Sequence, residues 1–292
     1  MASKAARAWY IDTRTMTDSE YIDRLQRHLA DYKTRVLEVE ECGTWGNPPR
    51  AYPHILPFGR RELNIVTPFR ETFWRVQPER GWKLHKYFHH LSSSQALAFN
   101  VFFLLYPDVP ARMLAARQVL GLPKNEGCRI DFETVLDPHE GTNIDALIET
   151  DEGTRTIVEV KLTERAFGGT RDDERHLAKL ADMYRPLLTG RVDASCLEPS
   201  AFFRDYQLYR NLAQIRRDSA DRVLLLIPKA RTQLWQHATA WCDSPTLDAL
   251  RGCIRVVAIE DLISALTTDS EQTDIAKAAI AEVSRKYIVP PR

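Results

Sequence analysis

The sequence has few cysteines, and no two of them stand at a spacing typical of metal binding. Its five cysteines are scattered along the chain without a Cys-x-x-Cys arrangement. The sequence therefore gives no support to a zinc site built on paired cysteines or to a disulfide framework. Reduced, partly buried thiols are the simpler interpretation, and they are typical of a cytosolic protein.

Long apolar runs are also missing. Residues 1–14 contain none, so the sequence shows no secretory signal. The most apolar helical stretch, residues 96–106, is interrupted by Asn100 and is far too short to span a bilayer. We therefore expect a cytoplasmic protein without a membrane partner.

An excess of charge of one sign is the third feature that the sequence lacks. The 292 residues include 40 Lys+Arg and 40 Asp+Glu, so the formal net charge is zero. This balance excludes a uniformly basic protein that coats nucleic acid. Hydrophobic residues make up 44% of the chain, enough for a core, so we do not expect disorder.

The balanced total conceals charged segments of opposite sign. The net charge is +5 over residues 50–90, −8 over residues 131–160 and +4 over residues 161–231. An acidic centre between basic segments is typical of a cation site beside a phosphate-binding surface. Local fluctuation is the alternative explanation, although it accounts more easily for one such segment than for this arrangement.

The order of the predicted elements indicates an α/β protein. Three successive strands are predicted over residues 128–136, 143–149 and 154–162, and two more over 222–227 and 254–259. The predicted helices cover residues 17–41, 92–105, 111–120, 172–188, 200–217, 232–241 and 269–286. We therefore predict a mixed central sheet flanked by helices over residues 85–292, preceded by a helical and loop extension over residues 1–84.

The most informative segment is residues 143–162. Its loop Asp151-Glu152-Gly153 suits a three-residue hairpin turn with Gly153 in the left-handed region. In that register Asp145 lies directly across from Glu159, and Lys161 projects from the same face. The opposite face is predicted to be apolar and to pack on helices, through Ile144, Ala146, Ile148, Val158, Val160 and Leu162.

This predicted hairpin brings together the parts of a metal-assisted phosphodiester hydrolase. Two adjacent carboxylates repel each other unless a cation or a proton lies between them. An incomplete set of oxygen ligands suits Mg²⁺, which keeps waters and takes phosphate oxygens of a substrate. The Lys161 ammonium can orient or help deprotonate an attacking water, or stabilise charge on the phosphate. The plainer alternative is an exposed hairpin with solvated charges.

Asp145 and the Glu159-Val160-Lys161 triplet, with 13 residues between them, resemble the PD-(D/E)XK nuclease superfamily. The resemblance implies a restriction-endonuclease-like fold, with a helix, a three-strand meander, a helix and a further strand. It also implies that Asp145, Glu159 and the carbonyl of Val160 bind Mg²⁺, for which Mn²⁺ is expected to substitute, and that Lys161 serves the nucleophilic water. The proline of the motif is replaced by Ile144.

The helix before the predicted meander offers a further catalytic candidate. Members of the superfamily often place a Glu or Gln of this helix near the metal, and Gln95 is similar in position. Alternatively, Gln95 only closes a Ser-x-x-Gln capping box on Ser92. The two roles are compatible with each other.

The helix predicted over residues 200–217 is apolar nearly all round, except for one polar stripe. Such a stripe on an otherwise buried helix needs partners. Several PD-(D/E)XK subfamilies carry a comparable Gln or Arg that is aimed at the active site or the DNA backbone, and the alternative is one solvated face. We predict that the stripe binds nucleic acid through Gln207, Arg210, Asn211 and Gln214.

An aromatic and proline-rich segment lies in the N-terminal extension. It runs from Tyr52 to Pro57, and Trp45, Trp74 and Trp82 are near it in the sequence. The segment either forms a recognition loop or packs the extension against the core, and we favour the packing.

The predicted function is that of a Mg²⁺-dependent endonuclease that hydrolyses DNA phosphodiester bonds. A bacterial restriction or defence setting fits the resemblance, and so does a homodimer, because many enzymes of this fold are dimers. The sequence does not distinguish DNA from RNA. The alternative is a non-catalytic nucleic-acid-binding or scaffold protein that retains the nuclease fold, and a weaker one is a hydrolase of a smaller phosphate ester.

Overall fold

The strands form a mixed five-stranded sheet and a separate small hairpin. The computed structural model describes residues 16–106, 114–123, 127–268 and 272–290. The small hairpin pairs β1 (Gly43–Trp45) with β2 (Arg50–Tyr52). In the large sheet, β3 to β5 are antiparallel neighbours, while β6 is parallel to β5 and β7 is parallel to β6. Its strands are β3 (Cys128–Thr134), β4 (Ile144–Thr150), β5 (Arg155–Val160), β6 (Arg222–Ile227) and β7 (Ile254–Ala258).

Helices surround the large sheet, so the predicted α/β class with a mixed sheet flanked by helices is confirmed. The helices that precede the sheet or cover one of its faces are α1 (Asp18–Arg35), α2 (Thr67–Arg80), α3 (Ser94–Phe102), α4 (Leu114–Leu120), α10 (Ile259–Thr268) and α11 (Asp274–Tyr287). The others are α5 (Glu174–Lys179), α6 (Arg185–Leu188), α7 (Pro199–Arg204), α8 (Tyr206–Ala213) and α9 (Thr232–Cys242).

Both faces of the sheet are buried, which produces three layers. Successive side chains of a strand point to opposite faces, so Ala146 and Val158 pack with α1 to α4, α10 and α11. Leu147 and Ile157 pack on the other face, mainly with α6 to α9. The face that carries the carboxylates is therefore apolar in its middle, between Asp145 and Glu159 at one end of the strands and Glu149 and Arg155 at the other.

The β4–β5 hairpin has the predicted register. Ala146 pairs with Val158 and Glu149 pairs with Arg155, and Gly153 has a φ of +80° in the turn. The prediction is wrong for one residue of the apolar face, because Ile144 packs with the cluster on the carboxylate face instead. Ile144 is the first residue of its strand, where alternation no longer fixes the direction of the side chain.

Several predicted helices have different boundaries in the structure. The helix predicted over residues 200–217 is two helices, α7 and α8, because the backbone leaves the helical region at Asp205 (ψ 36°). The helix predicted over 172–188 contains a π-helical turn, Leu180–Tyr184, between α5 and α6. The first helix ends at Arg35 rather than at residue 41.

Several elements of the described residues were not predicted, among them the β1–β2 hairpin, α2 and α10. Helix α2 has Pro68 in its first turn and Pro78 inside it, and it buries only Phe69, Phe73 and Val76. Parts of two predicted helices, residues 111–113 and 269–271, lie outside the described residues.

The N-terminal segment and the sheet share one core. Phe73 of α2 and Trp82 contact Phe99 of α3, with ring centroids 4.7 and 5.7 Å apart, and Trp82 also contacts Phe132 of β3 at 5.0 Å. The division at residue 84 stays a prediction, but the contacts across it are extensive. Within the described ranges, no helix has the length and apolar character needed to cross a membrane.

Candidate active site

The β4–β5 register brings Asp145 and Glu159 to neighbouring positions on one face. Val160 donates its backbone N–H to Oδ2 of Asp145 at 2.8 Å, so the Asp145 carboxylate lies against the end of β5. The Val160 side chain points to the opposite core and is 1% exposed, which leaves only its main chain at the site. The sequence-predicted pair is therefore brought together with the backbone of Val160.

A third carboxylate, Glu133, extends this pair onto strand β3. The β3–β4 register pairs Phe132 with Ala146 and Thr134 with Ile144, which places Glu133 across from Asp145. Glu133 has a φ of +51°, a region that non-glycine residues seldom occupy, and Asn143 donates to its Oε2 at 3.0 Å. Carboxylates from three adjacent strands thus lie in one row across the sheet.

Lys161 points into the same site and is bound on two sides. Its Nζ lies 2.7 Å from Oε1 of Glu159 and donates to Oε1 of Gln207 at 2.7 Å. The residue is only 5% exposed, so the ammonium is held in one position by these two contacts. The predicted Asp145–Glu159–Lys161 set is therefore assembled on one face.

Helix α8 supplies the residues that orient this set. Asn211 is buried and donates to Oε2 of Glu159 at 2.9 Å, while Gln207, one turn earlier, receives the Lys161 ammonium. Residues four apart lie on one side of a helix, so α8 contacts the carboxylate and the amine together. Gln207 and Asn211 were predicted to bind nucleic acid, and in the structure Gln207 Oε1 contacts Lys161 and Asn211 Nδ2 contacts Glu159.

The other two residues of that stripe differ in position. Arg210 lines the site, and its Nε is buried without a hydrogen-bond partner among the described residues. Gln214 caps the end of α8 and does not line the cavity. Arg210 is therefore the member of the stripe best placed to meet a substrate, and contact of the four with nucleic acid stays a prediction.

The two paired carboxylates have opposite pKa shifts. Burial and the charge of Glu159 raise the pKa of Asp145 well above its usual range, although Lys161 and the Val160 N–H oppose this. Burial also disfavours the charge of Glu159, but Lys161, Asn211 and Arg210 outweigh it and lower the pKa of that carboxyl. Without a cation, Asp145 therefore takes up a proton at a higher pH than Glu159 does.

The environment of Lys161 favours its charged form. Burial alone would lower the pKa of this amine, but Glu159, Glu164 and Asp145 outweigh it and raise the pKa. Glu164 accepts from the backbone N–H groups of Leu162 and Thr163, at 2.8 and 3.0 Å. A protonated Lys161 can hold a water or stabilise negative charge, and it is poorly suited to remove a proton.

The site opens into a cavity of about 810 Å³. Its floor is the end of the sheet, its second side is α8, and its third side is the segment from Lys83 to Gln95, which precedes and begins α3. Burial lowers the pKa of His90 in this wall to about 4, helped by the neighbouring histidines, so that this side chain is neutral at pH 7. The cavity is lined by Glu133, Asp145, Glu159, Lys161, Gln207, Arg210, Lys83, Lys86, Tyr87, His90 and Gln95, among others.

Gln95 lines the cavity, and its amide bonds both to the wall and to the side chain of Glu133 in the carboxylate row. Its Oε1 accepts from the N–H of His85 at 2.8 Å, and its Nε2 donates to the carbonyl of Lys83 at 2.9 Å. The predicted capping box on Ser92 is wrong, because α3 starts one residue later and Ser93 accepts from the N–H of Ala96. A role of Gln95 toward a metal stays a prediction.

The donor set at the sheet end fits Mg²⁺. Within the described ranges no group of three or more His, Cys, Asp or Glu side chains is arranged to hold a metal by itself. Mg²⁺ does not need such a cage, since it is commonly bound by one or two carboxylates and completed by waters and phosphate oxygens. A cation would also relieve the repulsion that raises the pKa of Asp145. Asp145, Glu159 and the Val160 carbonyl are the residues that would hold it.

Sequence reasoning missed Glu133 and Glu164. Glu164 follows Lys161 by three residues and could have been flagged by that proximity alone. Glu133 lies in a strand that was predicted correctly. Its position opposite Asp145 depends on the register of β3 against β4, and nothing in the sequence of the loop between Val135 and Asn143 fixes that register.

Comparison with known proteins identifies one family. Residues 26–288, about nine-tenths of the chain, match the family described as Restriction Endonuclease associating with ARP, and the chain therefore belongs to that family. The match confirms the resemblance to restriction endonucleases, and it also covers most of the N-terminal extension. Comparison with curated proteins and with solved structures gave no match.

Proposed function

We propose that this protein is a Mg²⁺-dependent endonuclease that hydrolyses DNA phosphodiester bonds. The observation that carries the proposal is the convergence of Asp145, Glu159 and Lys161 in one open cavity, where each has a hydrogen-bonded position. A buried carboxylate beside a second, half-buried one and a buried ammonium is a costly arrangement, and such arrangements cluster at functional sites. The family described as a restriction endonuclease supports DNA as the substrate and a restriction or defence setting.

The order of elements supports a restriction-endonuclease-like arrangement. Helix α3 precedes the antiparallel meander β3–β4–β5, helices follow it, and β6 then joins β5 in parallel. This is the order that the PD-(D/E)XK resemblance implies. The motif residues lie on β4 and β5, at the end of the sheet that faces the cavity.

In the proposed reaction, water attacks the scissile phosphate and the P–O bond to the leaving oxygen breaks. The attacking water gives up a proton to solvent, and the leaving oxygen takes one up from solvent. Bound Mg²⁺ would supply charge neutralisation at the phosphate. Asp145 and Glu159 would hold that ion, and Asn211 fixes the position of the Glu159 carboxylate. Lys161, fixed by Glu159 and Gln207, positions the attacking water and stabilises the negative charge that develops on the phosphate. Arg210, whose Nε has no hydrogen-bond partner among the described residues, would bind a phosphate oxygen.

Cleavage assays on plasmid DNA test the proposal. Purified protein is expected to cut in the presence of Mg²⁺ and to be inactive in EDTA. Asp145→Asn and Lys161→Met are each expected to lower the cleavage rate by roughly 100-fold or more, because each removes a group that acts on the reacting phosphate or its metal.

Two variants of the same chemistry serve as matched controls. Glu149→Gln removes a carboxylate from the same strand as Asp145, where Glu149 contacts Arg129 at 2.9 Å outside the cavity. Lys229→Met removes an exposed ammonium that pairs with Asp261. Both controls are expected to cut at the rate of the parent. DNA binding without any Mg²⁺-dependent cleavage would favour the non-catalytic alternative, and undiminished cleavage by Lys161→Met would refute the site.

A further inference from the structure

The β1–β2 hairpin presents an aromatic surface beside the active-site cavity. Trp45, at the end of β1, is 45% exposed although it is a large apolar side chain. Its ring lies 6.0 Å from that of Tyr52, 6.3 Å from Tyr87 and 6.2 Å from His90, all at steep angles. Trp45 is therefore held in place by three rings while part of its own surface remains open.

This aromatic surface is continuous with the cavity. Tyr87 and His90 contact Trp45, and the same two residues line the cavity that contains Asp145, Glu159 and Lys161. The other tryptophans named in the sequence behave differently, since Trp82 is only 3% exposed and Trp74 packs against Phe73. The predicted packing role holds for those two, whereas Trp45 faces outward next to the site.

The wall between Trp45 and the carboxylates is cationic. Residues 80–95 contain Arg80, Lys83 and Lys86 and no acidic residue. Lys83 and Lys86 are exposed and line the cavity, and Nζ of Lys86 lies 4.6 Å from the centroid of the Tyr87 ring. Helix α3 begins at the same wall, where Ser92 to Ser94 also line the cavity. Ammonium groups and a helix N-terminus together favour a phosphate backbone along this wall.

We propose that Trp45 is a stacking platform for an unpaired base of the substrate strand, next to the phosphate that is cut. The proposal rests on the proposed nuclease function and deepens it by naming the substrate class. Aromatic side chains beside a cationic track are the arrangement by which proteins bind single-stranded nucleic acid. A base inside an intact duplex is already stacked on both sides, so an exposed indole selects a strand that is single-stranded or locally open.

Binding measurements without cleavage separate this proposal from the function on which it rests. Wild-type protein in EDTA is titrated against a labelled single-stranded oligonucleotide and against the duplex of the same sequence, with fluorescence anisotropy as the readout. Single-strand binding is expected to be tighter. A failure to cleave in Mg²⁺ would overturn the proposed function and leave this measurement unaffected.

Substitution of Trp45 tests the platform directly. Trp45→Ala is expected to weaken single-strand binding by roughly 5- to 150-fold, the range for loss of one stacked base, and to leave duplex binding unchanged. Trp45→Phe keeps an aromatic face and is expected to retain most of the affinity. Phe58→Ala is the control, because Phe58 is 60% exposed but contacts His89 and Arg61, which do not line the cavity. This variant is expected to bind as the parent does.

A second measurement uses the unaltered protein, so that it does not depend on the folding of a variant. Oligonucleotides that lack the base at one position at a time are titrated against the wild type. One position is expected to show a loss similar to that of Trp45→Ala. Three results would each overturn the proposal. The first is an equal loss of affinity for single strand and duplex in Trp45→Ala, which would favour plain electrostatic binding. The others are equal effects of Trp45→Ala and Phe58→Ala, and the absence of any position at which a missing base weakens binding.

Discussion

At the scale of single residues, the site contains two carboxylates whose pKa values are shifted in opposite directions. Burial and the neighbouring charge raise the pKa of Asp145, whereas Glu159 is kept ionised by Lys161 and Asn211 despite its burial. An acid whose pKa is raised by folding stabilises the folded state at low pH. That contribution is lost as the pH rises through the folded-state pKa. Asp145 is therefore destabilising at high pH when no metal is bound.

Asp145→Asn is expected to raise the thermal midpoint of the metal-free protein at pH 8. The amide can still accept from the Val160 N–H, but it carries no charge that burial disfavours. Each unit of raised pKa corresponds to about 1.4 kcal/mol, and about 1 kcal/mol shifts the midpoint of a protein of this size by roughly 2–4 °C.

Scanning fluorimetry in EDTA between pH 5 and pH 9 provides the measurement. As the pH rises, the parent is expected to become less stable relative to Asp145→Asn. Addition of Mg²⁺ is expected to restore the stability of the parent and to have no such effect on Asp145→Asn. Glu149→Gln, on the same strand, is expected to show no such divergence. A variant less stable than the parent throughout this range would contradict the raised pKa of Asp145.

Glu133 is expected to contribute to metal affinity through its place in the carboxylate row. Glu133→Gln keeps an oxygen for the Asn143 donor but removes one carboxylate from the row. The Mg²⁺ concentration for half-maximal cleavage is expected to rise by roughly 10-fold or more, as for other groups near a metal, with a smaller change in the rate at saturation. If the Mg²⁺ titration of the variant coincides with that of the parent, Glu133 has no part in the metal site.

At the scale of elements, the sequence predicted the part of the site that depends on local chemistry. The turn residue Gly153 and the alternation of β4 and β5 fixed the register that places Asp145 beside Glu159. The contacts of Gln207 and Asn211 could not be predicted, because they depend on how α8 packs on the sheet. Local patterns specify a hairpin, whereas the direction of a packed helix is set by its whole interface.

The loop after β5 holds Gln207 in place, and one glycine makes this possible. Gly168 has a φ of +67°, and a Cβ atom there would lie 2.5 Å from Cδ of Gln207. Gly168→Ala is therefore expected to displace Gln207 from the Lys161 ammonium and to lower the cleavage rate roughly 10-fold, because the position of Lys161 becomes less defined. The measurement is cleavage in Mg²⁺ together with a thermal melt.

Gly190 provides a matched control for the backbone strain in this experiment. Its φ is +73°, but a Cβ atom there would meet nothing within 4 Å. Gly190→Ala is expected to lose stability of about 1–2 kcal/mol, as any alanine in the left-handed region does, without loss of cleavage. If both alanine variants cut equally, displacement of Gln207 does not control the reaction.

At the scale of the whole molecule, the zero net charge is the sum of acidic and basic segments that lie close together in the fold. The acidic end of the sheet, with Glu133, Asp145 and Glu159, is enclosed by the wall with Lys83 and Lys86 and by α8 with Arg210. The net charges of the sequence segments indicated that acidic and basic regions would be neighbours, but they did not show how these regions are arranged in space. The fold brings acidic and basic segments that are separate in the sequence together at one cavity, where a cation site and a phosphate site would lie next to each other.

The N-terminal segment is also connected to the site through a buried ion pair. Arg231 is 1% exposed, and its Nε lies 3.0 Å from Oδ2 of Asp18, at the start of α1. The same guanidinium donates to the carbonyls of Leu162 at 3.0 Å and Glu164 at 2.6 Å, directly after Lys161. Removal of one partner from a buried pair typically costs about 3–5 kcal/mol. The first helix is thus part of the support of the active-site strand.

Residues 85–292 expressed alone are consequently expected not to fold cooperatively. This fragment loses Phe73 and Trp82, which pack on Phe99, and it leaves Arg231 buried without Asp18. The measurement is near-ultraviolet circular dichroism with a thermal melt, for which the full chain is expected to show a single sharp transition and the fragment none. Co-expression with residues 1–84 is expected to restore the transition. A fragment that melts as sharply as the full chain would instead establish residues 85–292 as an independent domain.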